Sequence, residues 1–161
     1  MALPVSEQIA VIVRTRLAAI STGSGYETTA SEVVRPTRIS DASPKDYQII
    51  VFKRRNPQVN IYPAATPKIE RRLEIEIRAI LRPSELDTTA IDTLVDTFAA
   101  DVTKALTSPT NWRTFGGLAV NAIADVEAEY DLDAEGSSGH MTSVLHVIYR
   151  HPEDDPYTVA A

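Results

Sequence analysis

Between Arg71 and Pro83 the chain reads RRLEIEIRAILRP, where Leu73, Ile75, Ile77, Ala79 and Leu81 alternate with Glu74, Glu76 and Arg78. Strict period-two alternation predicts a β-strand with one apolar face and one wet face. Such a strand belongs to a sheet covered on one side, so the rest of the chain must supply the cover. Two segments do. From Pro4 onward Val5, Ile9, Ile12, Val13, Leu17 and Ile20 recur at helical spacing, with Ser6 as the expected cap and STGSG, residues 21–25, as the expected stop. Past SELDT, which offers Ser84, Asp87 and Thr88 as caps, Ile91, Leu94, Val95, Phe98, Val102, Ala105 and Leu106 form a second stripe; Asp92, Asp96 and Asp101 fall off it.

Four further segments are β-prone. TTASEVVRPTRI carries Pro36, which marks an edge strand or a strand end, and DYQIIVFKR is apolar on both faces in its middle. LAVNAIADVEAEY sets Val120, Ala122, Ala124, Val126 and Ala128 against Asn121, Ile123, Asp125, Glu127 and Glu129. MTSVLHVIYR sets Leu145, Val147 and Tyr149 against Val144, His146 and Ile148, with DLDAEGSSGH as a polar hairpin loop before it. Trp112 and Phe115, in SPTNWRTFGG, are expected to cover the end of the core. Strands joined without helices predict antiparallel hairpins. The expected class is α+β, a two-layer sandwich in which a mostly antiparallel sheet of four to five strands packs against two helices. At 161 residues the chain fits a single domain, 1–161, and no apolar run is long enough for a membrane helix. The N-terminal MALPVSEQIAVIVRTRL lacks the unbroken apolar stretch of a secretory signal.

Two segments read as contact elements. RNPQVNIYPAATPKI, residues 55–69, has three prolines and no sustained periodicity, which predicts a long loop serving as a contact arm. With its flank it supplies Lys53, Arg54, Arg55, Asn56, Val59, Tyr62 and Lys68 as candidate contact residues. HPEDDPYTVAA, residues 151–161, cannot continue a strand ladder at its prolines and reads as an extended tail offering Asp154, Asp155 and Tyr157 to a neighbouring copy.

Charge is polarised along the chain. Residues 1–82 balance at +5 and residues 83–161 at −11, within a net charge of −6. Two solvated faces of unlike sign are one reading; a head-to-tail interface in which a basic patch meets the acidic patch of the next copy is the other. Asp125, Glu127 and Glu129 form the candidate acidic face.

Motifs for chemistry are missing. No Gly-x-Ser-x-Gly elbow, Walker loop or His-Glu-x-x-His occurs, and the absence of cysteine excludes a disulfide framework and cysteine-based catalysis or metal binding. His140, His146 and His151 with Asp154 or Asp155 match no familiar metal spacing, and Glu127 with Glu129 reads as a solvent face rather than an acid/base pair. KRRNPQVNIYP, with Lys68, Arg71 and Arg72 nearby, has the ingredients of a nucleic-acid surface but sits in an acidic chain. No catalytic residue, metal or cofactor is assigned.

In order, the helix SEQIAVIVRTRLAAI, the strands DYQIIVFKR and LEIEIRAIL around a variable loop, the helix AIDTLVDTFAADVTKAL and the ending VLHVIYRHPEDDPYT resemble the tail terminator proteins of long-tailed, lambda-like phages. The likeness spans nearly the whole chain and rests on element order, length and that ending. It implies a non-enzymatic virion component: a hexameric ring on the last ring of the tail tube that stops polymerisation, binds the tube protein, receives the head–tail connector and lets DNA pass without sequence-specific binding. The 55–69 segment would then grip the tube or a neighbouring subunit. A head-completion or neck protein is the near alternative, and a nucleic-acid-binding α+β module and a small hydrolase are the alternatives of a different class.

Overall fold

The computed structural model describes residues 2–36, 47–82, 89–133 and 136–160, with side chains of 128–133, 136 and 137 excepted. The chain is α+β, with two helices on one face of a mostly antiparallel six-stranded sheet. In chain order the elements are α1 (Val5–Leu17), β1 (Glu32–Val34), β2 (Gln48–Arg55), β3 (Gln58–Tyr62), β4 (Lys68–Leu81), α2 (Ile91–Thr107), β5 (Asn121–Asp133) and β6 (Gly136–Pro152). The strand order is β1-β2-β4-β6-β5, with β1 parallel to β2 and the other pairs antiparallel.

β4 is the spine. Its predicted apolar set, Leu73 to Leu81, is buried beneath the helices with Ile49 and Val51 of β2 and Met141, Leu145, Val147 and Tyr149 of β6. The helices divide the cover: α1 lies over β1 and β2, α2 lies over β5 and β6, and they touch each other. From the helices come Val5, Ile9, Val13, Leu17, Val95, Phe98, Val102 and Leu106, all buried, and Phe98 meets Tyr47 edge to face at 6.0 Å. Phe115 is buried and Trp112 packs partly against the core, as their place in the sequence predicts.

Gly139 marks a close approach between the layers. A Cβ there would lie 1.9 Å from Cγ2 of Val95 on α2, and a β-branched side chain cannot swing far. Gly139→Ala is expected to cost about 1–3 kcal/mol by overpacking. Urea unfolding measures this, and an unchanged midpoint would show that α2 has slack.

Local readings change in four places. Ser6 does not cap α1: Pro4 holds the cap position without a side-chain bond, Ser6 is buried in the first turn, and the Val5 N–H donates to the Pro156 carbonyl at 3.0 Å. The proposed caps Ser84, Asp87 and Thr88 lie outside the described residues, and Ala90 at the cap of α2 makes no side-chain bond. DLDAEGSSGH is mostly strand: β5 runs to Asp133 and β6 starts at Gly136, so this hairpin extends past the end of β4, whose Leu81 pairs with Gly139. Val120 precedes β5 and is 46% exposed rather than part of its inner face.

The 55–69 segment is the largest correction. It is not an irregular loop: β2 continues to Arg55, β3 pairs with the first residues of β4, and only Pro63–Pro67 turn. β2 and β3 lie on the same side of β4 in succession, separated by Asn56 and Pro57, so together they form one long hairpin arm. Pro57 and Pro63 flank β3 rather than interrupt it, which is where a ladder tolerates a residue without an N–H.

Candidate assembly surface

Strand alternation places even-numbered residues of β4 and β6 on the face away from the helices. That open face carries Glu70, Arg72, Glu74, Glu76 and Arg78 on β4 and His146, Ile148 and Arg150 on β6. β2 adds Phe52 and Arg54 opposite Glu76, and a register shift after Lys53 brings Arg55 opposite Glu74 on the same face. β5 adds Ile123, Asp125 and Glu127, all exposed. The face therefore has arginines over β2 and β4 and acids along β5.

The arm's cations are largely neutralised at home. Lys53 points the other way and donates to Glu7 of α1 at 2.8 Å. Glu76 is not on a wet face: it is 5% exposed, held by Arg78 at 2.5 Å and approached by Arg54 at 3.8 Å. Arg150 donates to Glu70 at 2.8 Å and stacks over Tyr62, 4.6 Å from its ring centre, while the Tyr62 hydroxyl donates to Glu70 at 3.1 Å. The Glu70 hydrogen bond holds the Arg150 guanidinium more firmly protonated than usual. Lys68 sits half-buried opposite Pro152. Arg55 and Arg72 are exposed and have no ionic partner among the described residues.

A polar cluster on the helix side locks the arm to the body. Asn56 Nδ2 donates to the Tyr149 hydroxyl at 2.9 Å, and Arg71 Nη1 donates to the Asn56 carbonyl at 3.1 Å. Arg71 Nε donates at 3.1 Å to Nε2 of His151, whose Nδ1 proton goes to the Pro152 carbonyl at 2.6 Å. His151 is thus a buried hydrogen-bond partner on the helix side, whereas His140 and His146 lie on the open face. His146 Nδ1 is 3.9 Å from Glu74, too far for a hydrogen bond. Among the described residues no group of three or more His, Asp or Glu converges on a metal-sized site.

Glu7 joins the arm to α1. The Arg35 guanidinium beside it is the chief cause that holds its carboxyl at about 2 instead of the ordinary 4.5; burial opposes this and Lys53 adds to it. The folded pKa is depressed, so this contribution is complete above about pH 4.5 and is lost as pH falls towards 2. Acid titration of stability should lose about 1–2 kcal/mol over that window, and Glu7→Gln should flatten that part of the curve. An identical acid limb in the variant would contradict the pairing.

The tail is pinned, not free. The Glu153 N–H donates to the Pro67 carbonyl at 3.0 Å, the Pro156 carbonyl accepts from Val5, the Tyr157 carbonyl accepts from Gln8 Nε2 at 3.1 Å, and the Ala160 N–H donates to the Arg150 carbonyl at 3.1 Å. Asp155 accepts from the Tyr157 N–H at 3.0 Å and the Thr158 hydroxyl at 2.5 Å; these bonds, the hydroxyl first, keep its carboxyl below the usual range. Asp155 therefore shapes the tail's own turn. Asp154 and Tyr157 remain exposed at the arm's end of the molecule.

The candidate residues thus separate into groups. Lys53, Asn56, Tyr62 and Asp155 serve internal bonds; Arg54, Arg55, Val59, Asp125, Glu127, Asp154 and Tyr157 present exposed surface; the Glu129 side chain lies outside the described residues. Sequence reading did not single out Ile61 and Ile123, 49% and 56% exposed, as contact residues; Arg72, named there only beside the basic segment, borders with Asn121, Ile123, His146 and Ile148 a shallow recess of about 280 Å³. The signal for β5 is plain in retrospect: Asp125, Glu127, Glu129, Asp131, Asp133 and Glu135 fall at every second position. The chain matches no protein-family model and no curated protein.

Proposed function

We propose that this chain is the tail terminator subunit of a long-tailed phage, a structural virion component that assembles as a ring, caps the tail tube and presents the surface for head joining. The observation that carries the reading is the division of charge. Arg35 and Lys53 answer Glu7, Arg54 and Arg78 answer Glu76, and Arg150 answers Glu70, whereas Asp125 and Glu127 of β5 are exposed and without an ionic partner among the described residues. An acidic strand left unneutralised by its own fold is suited to contacts beyond the subunit and repels the phosphates of passing DNA. The projecting β2–β3/β4 arm, with Val59 and Ile61 about half exposed, suits a grip on the tube or a neighbour. The resemblance in element order and in the ending of the chain supports the family reading.

Growth of tail tubes from purified tube protein tests the reading. A few copies of this chain per tube end should arrest elongation, with particles seen at tube tips by electron microscopy. Tubes that grow to the same lengths in its presence would overturn the assignment.

A further inference from the structure

Resting on the ring reading, we infer that copies join edge to edge, the open edge of β5 in one copy pairing antiparallel with the β2–β3 edge of the next. Three contacts fix which backbone groups of β5 face outward. The Asp125 carbonyl accepts from Ser143 of β6 at 2.8 Å and so faces inward. The Ala122 N–H is taken by the Asn121 side chain at 2.9 Å and its carbonyl by Arg113 at 3.3 Å, neither of them on β6. Alternation then turns the N–H and C=O groups of Ala124 and Val126 to the open side.

This edge has few of the usual protections. β5 pairs with β6 over thirteen consecutive residues without a register shift, and it contains no proline and no lysine. Its charges are all acidic, so two β5 edges meeting about a two-fold axis would set like charges against each other. The partner must therefore present a different edge of opposite sign. The β2–β3 edge is one: among the described residues β1 pairs with β2 only as far as Ile50, Val59 and Ile61 are exposed, and Arg54 and Arg55 lie on the same open face as Asp125 and Glu127. Asn60 takes the Ile61 N–H at 2.9 Å, the same side-chain capping that Asn121 gives Ala122 at the other edge.

Strand direction agrees. β3 runs opposite to β4, β4 opposite to β6 and β6 opposite to β5, so the next copy's β3 laid beside β5 continues the alternation. Arg54 and Arg55 of that copy would stand across from Asp125 and Glu127 as cross-strand pairs. A contact joining unlike edges on opposite sides of one sheet is heterologous and closes into a ring when the rotation permits.

The chain has no native cysteine, so engineered thiols report unambiguously. Arg54→Cys or Arg55→Cys combined with Asp125→Cys or Glu127→Cys should give, in at least one pairing under mild oxidation, a ladder of linked copies; each single variant should stay unlinked. Ala124→Pro removes one outward N–H at a position an edge strand tolerates, and it should lose assembly at concentrations where the unmodified chain assembles while keeping its circular dichroism. If the proline variant misfolds, the ladder decides. Rings that form with no ladder from any pairing, or ladders only to an added partner protein, would overturn the edge assignment and leave the ring reading standing. An unmodified chain that stays monomeric, alone and with tube protein, would overturn both.

Discussion

Removing Glu153 to Ala161 is expected to lower the free energy of unfolding by about 3 kcal/mol, from four lost anchoring hydrogen bonds at about 0.5–1.5 kcal/mol each. The bonds tie the tail to three places at once: Pro67 at the turn of the arm, Val5 and Gln8 at the start of α1, and Arg150 on β6. The Val5 N–H matters most, because α1 has no side-chain cap and the tail carbonyl takes one of its unpaired donors. Urea melts of the truncated and full chains measure the effect. An unchanged midpoint would return the tail to a loose appendage, the role its prolines suggest. A truncation made to test assembly must therefore be read beside its stability.

Asp101→Ala should cost about 2–4 kcal/mol, the largest expected effect of a single polar substitution here. Asp101 lies off the apolar stripe of α2 yet is 4% exposed. Its carboxylate accepts from the Thr28 N–H at 2.7 Å, the Thr28 hydroxyl at 2.6 Å and the Glu27 N–H at 3.3 Å, closing the segment between α1 and β1 over α2. Alanine leaves the Thr28 donors, half-buried, without this acceptor, whereas Asp101→Asn keeps one acceptor oxygen and should lose less. Thermal or denaturant unfolding separates the two. Equal, small losses below about 0.5 kcal/mol would mean that water replaces the carboxylate readily.

The layers were legible because hydrophobic period is a local property. Leu73 to Leu81 announced the buried face of β4, and the stripe from Ile91 to Leu106 announced α2, without knowledge of any partner. Asp101 and Glu76 were not legible: each looks like a solvent-facing acid, yet Asp101 is bonded by Thr28, distant in sequence, and Glu76 is held between Arg78 on its own strand and Arg54 of the neighbouring strand. The arm was misread for a related reason. Three prolines suggested a loop, but Pro57 and Pro63 fall just outside β3 and Pro67 just before β4, where their missing N–H groups cost no ladder bond. The tail was misread because backbone carbonyls at Pro67 and Arg150 do the pinning, and sequence pattern carries no sign of them.

The candidate surface was half legible. Alternating acids from Asp125 onward and the cations from Lys53 to Arg55 were visible as residue types. Which cations are already answered depends on tertiary contacts: Lys53 turns to Glu7, whereas Arg55 stays exposed. The open edge of β5 follows from strand order, a property no local pattern encodes.

The measurement closest to the central claim is the assembly state of the unmodified chain, followed by light scattering and negative-stain microscopy across ionic strength. The account predicts closed rings of uniform size that dissociate as salt screens the pairing of Arg54 and Arg55 with Asp125 and Glu127. Monomers at every concentration and salt, with tube protein absent or present, would contradict it.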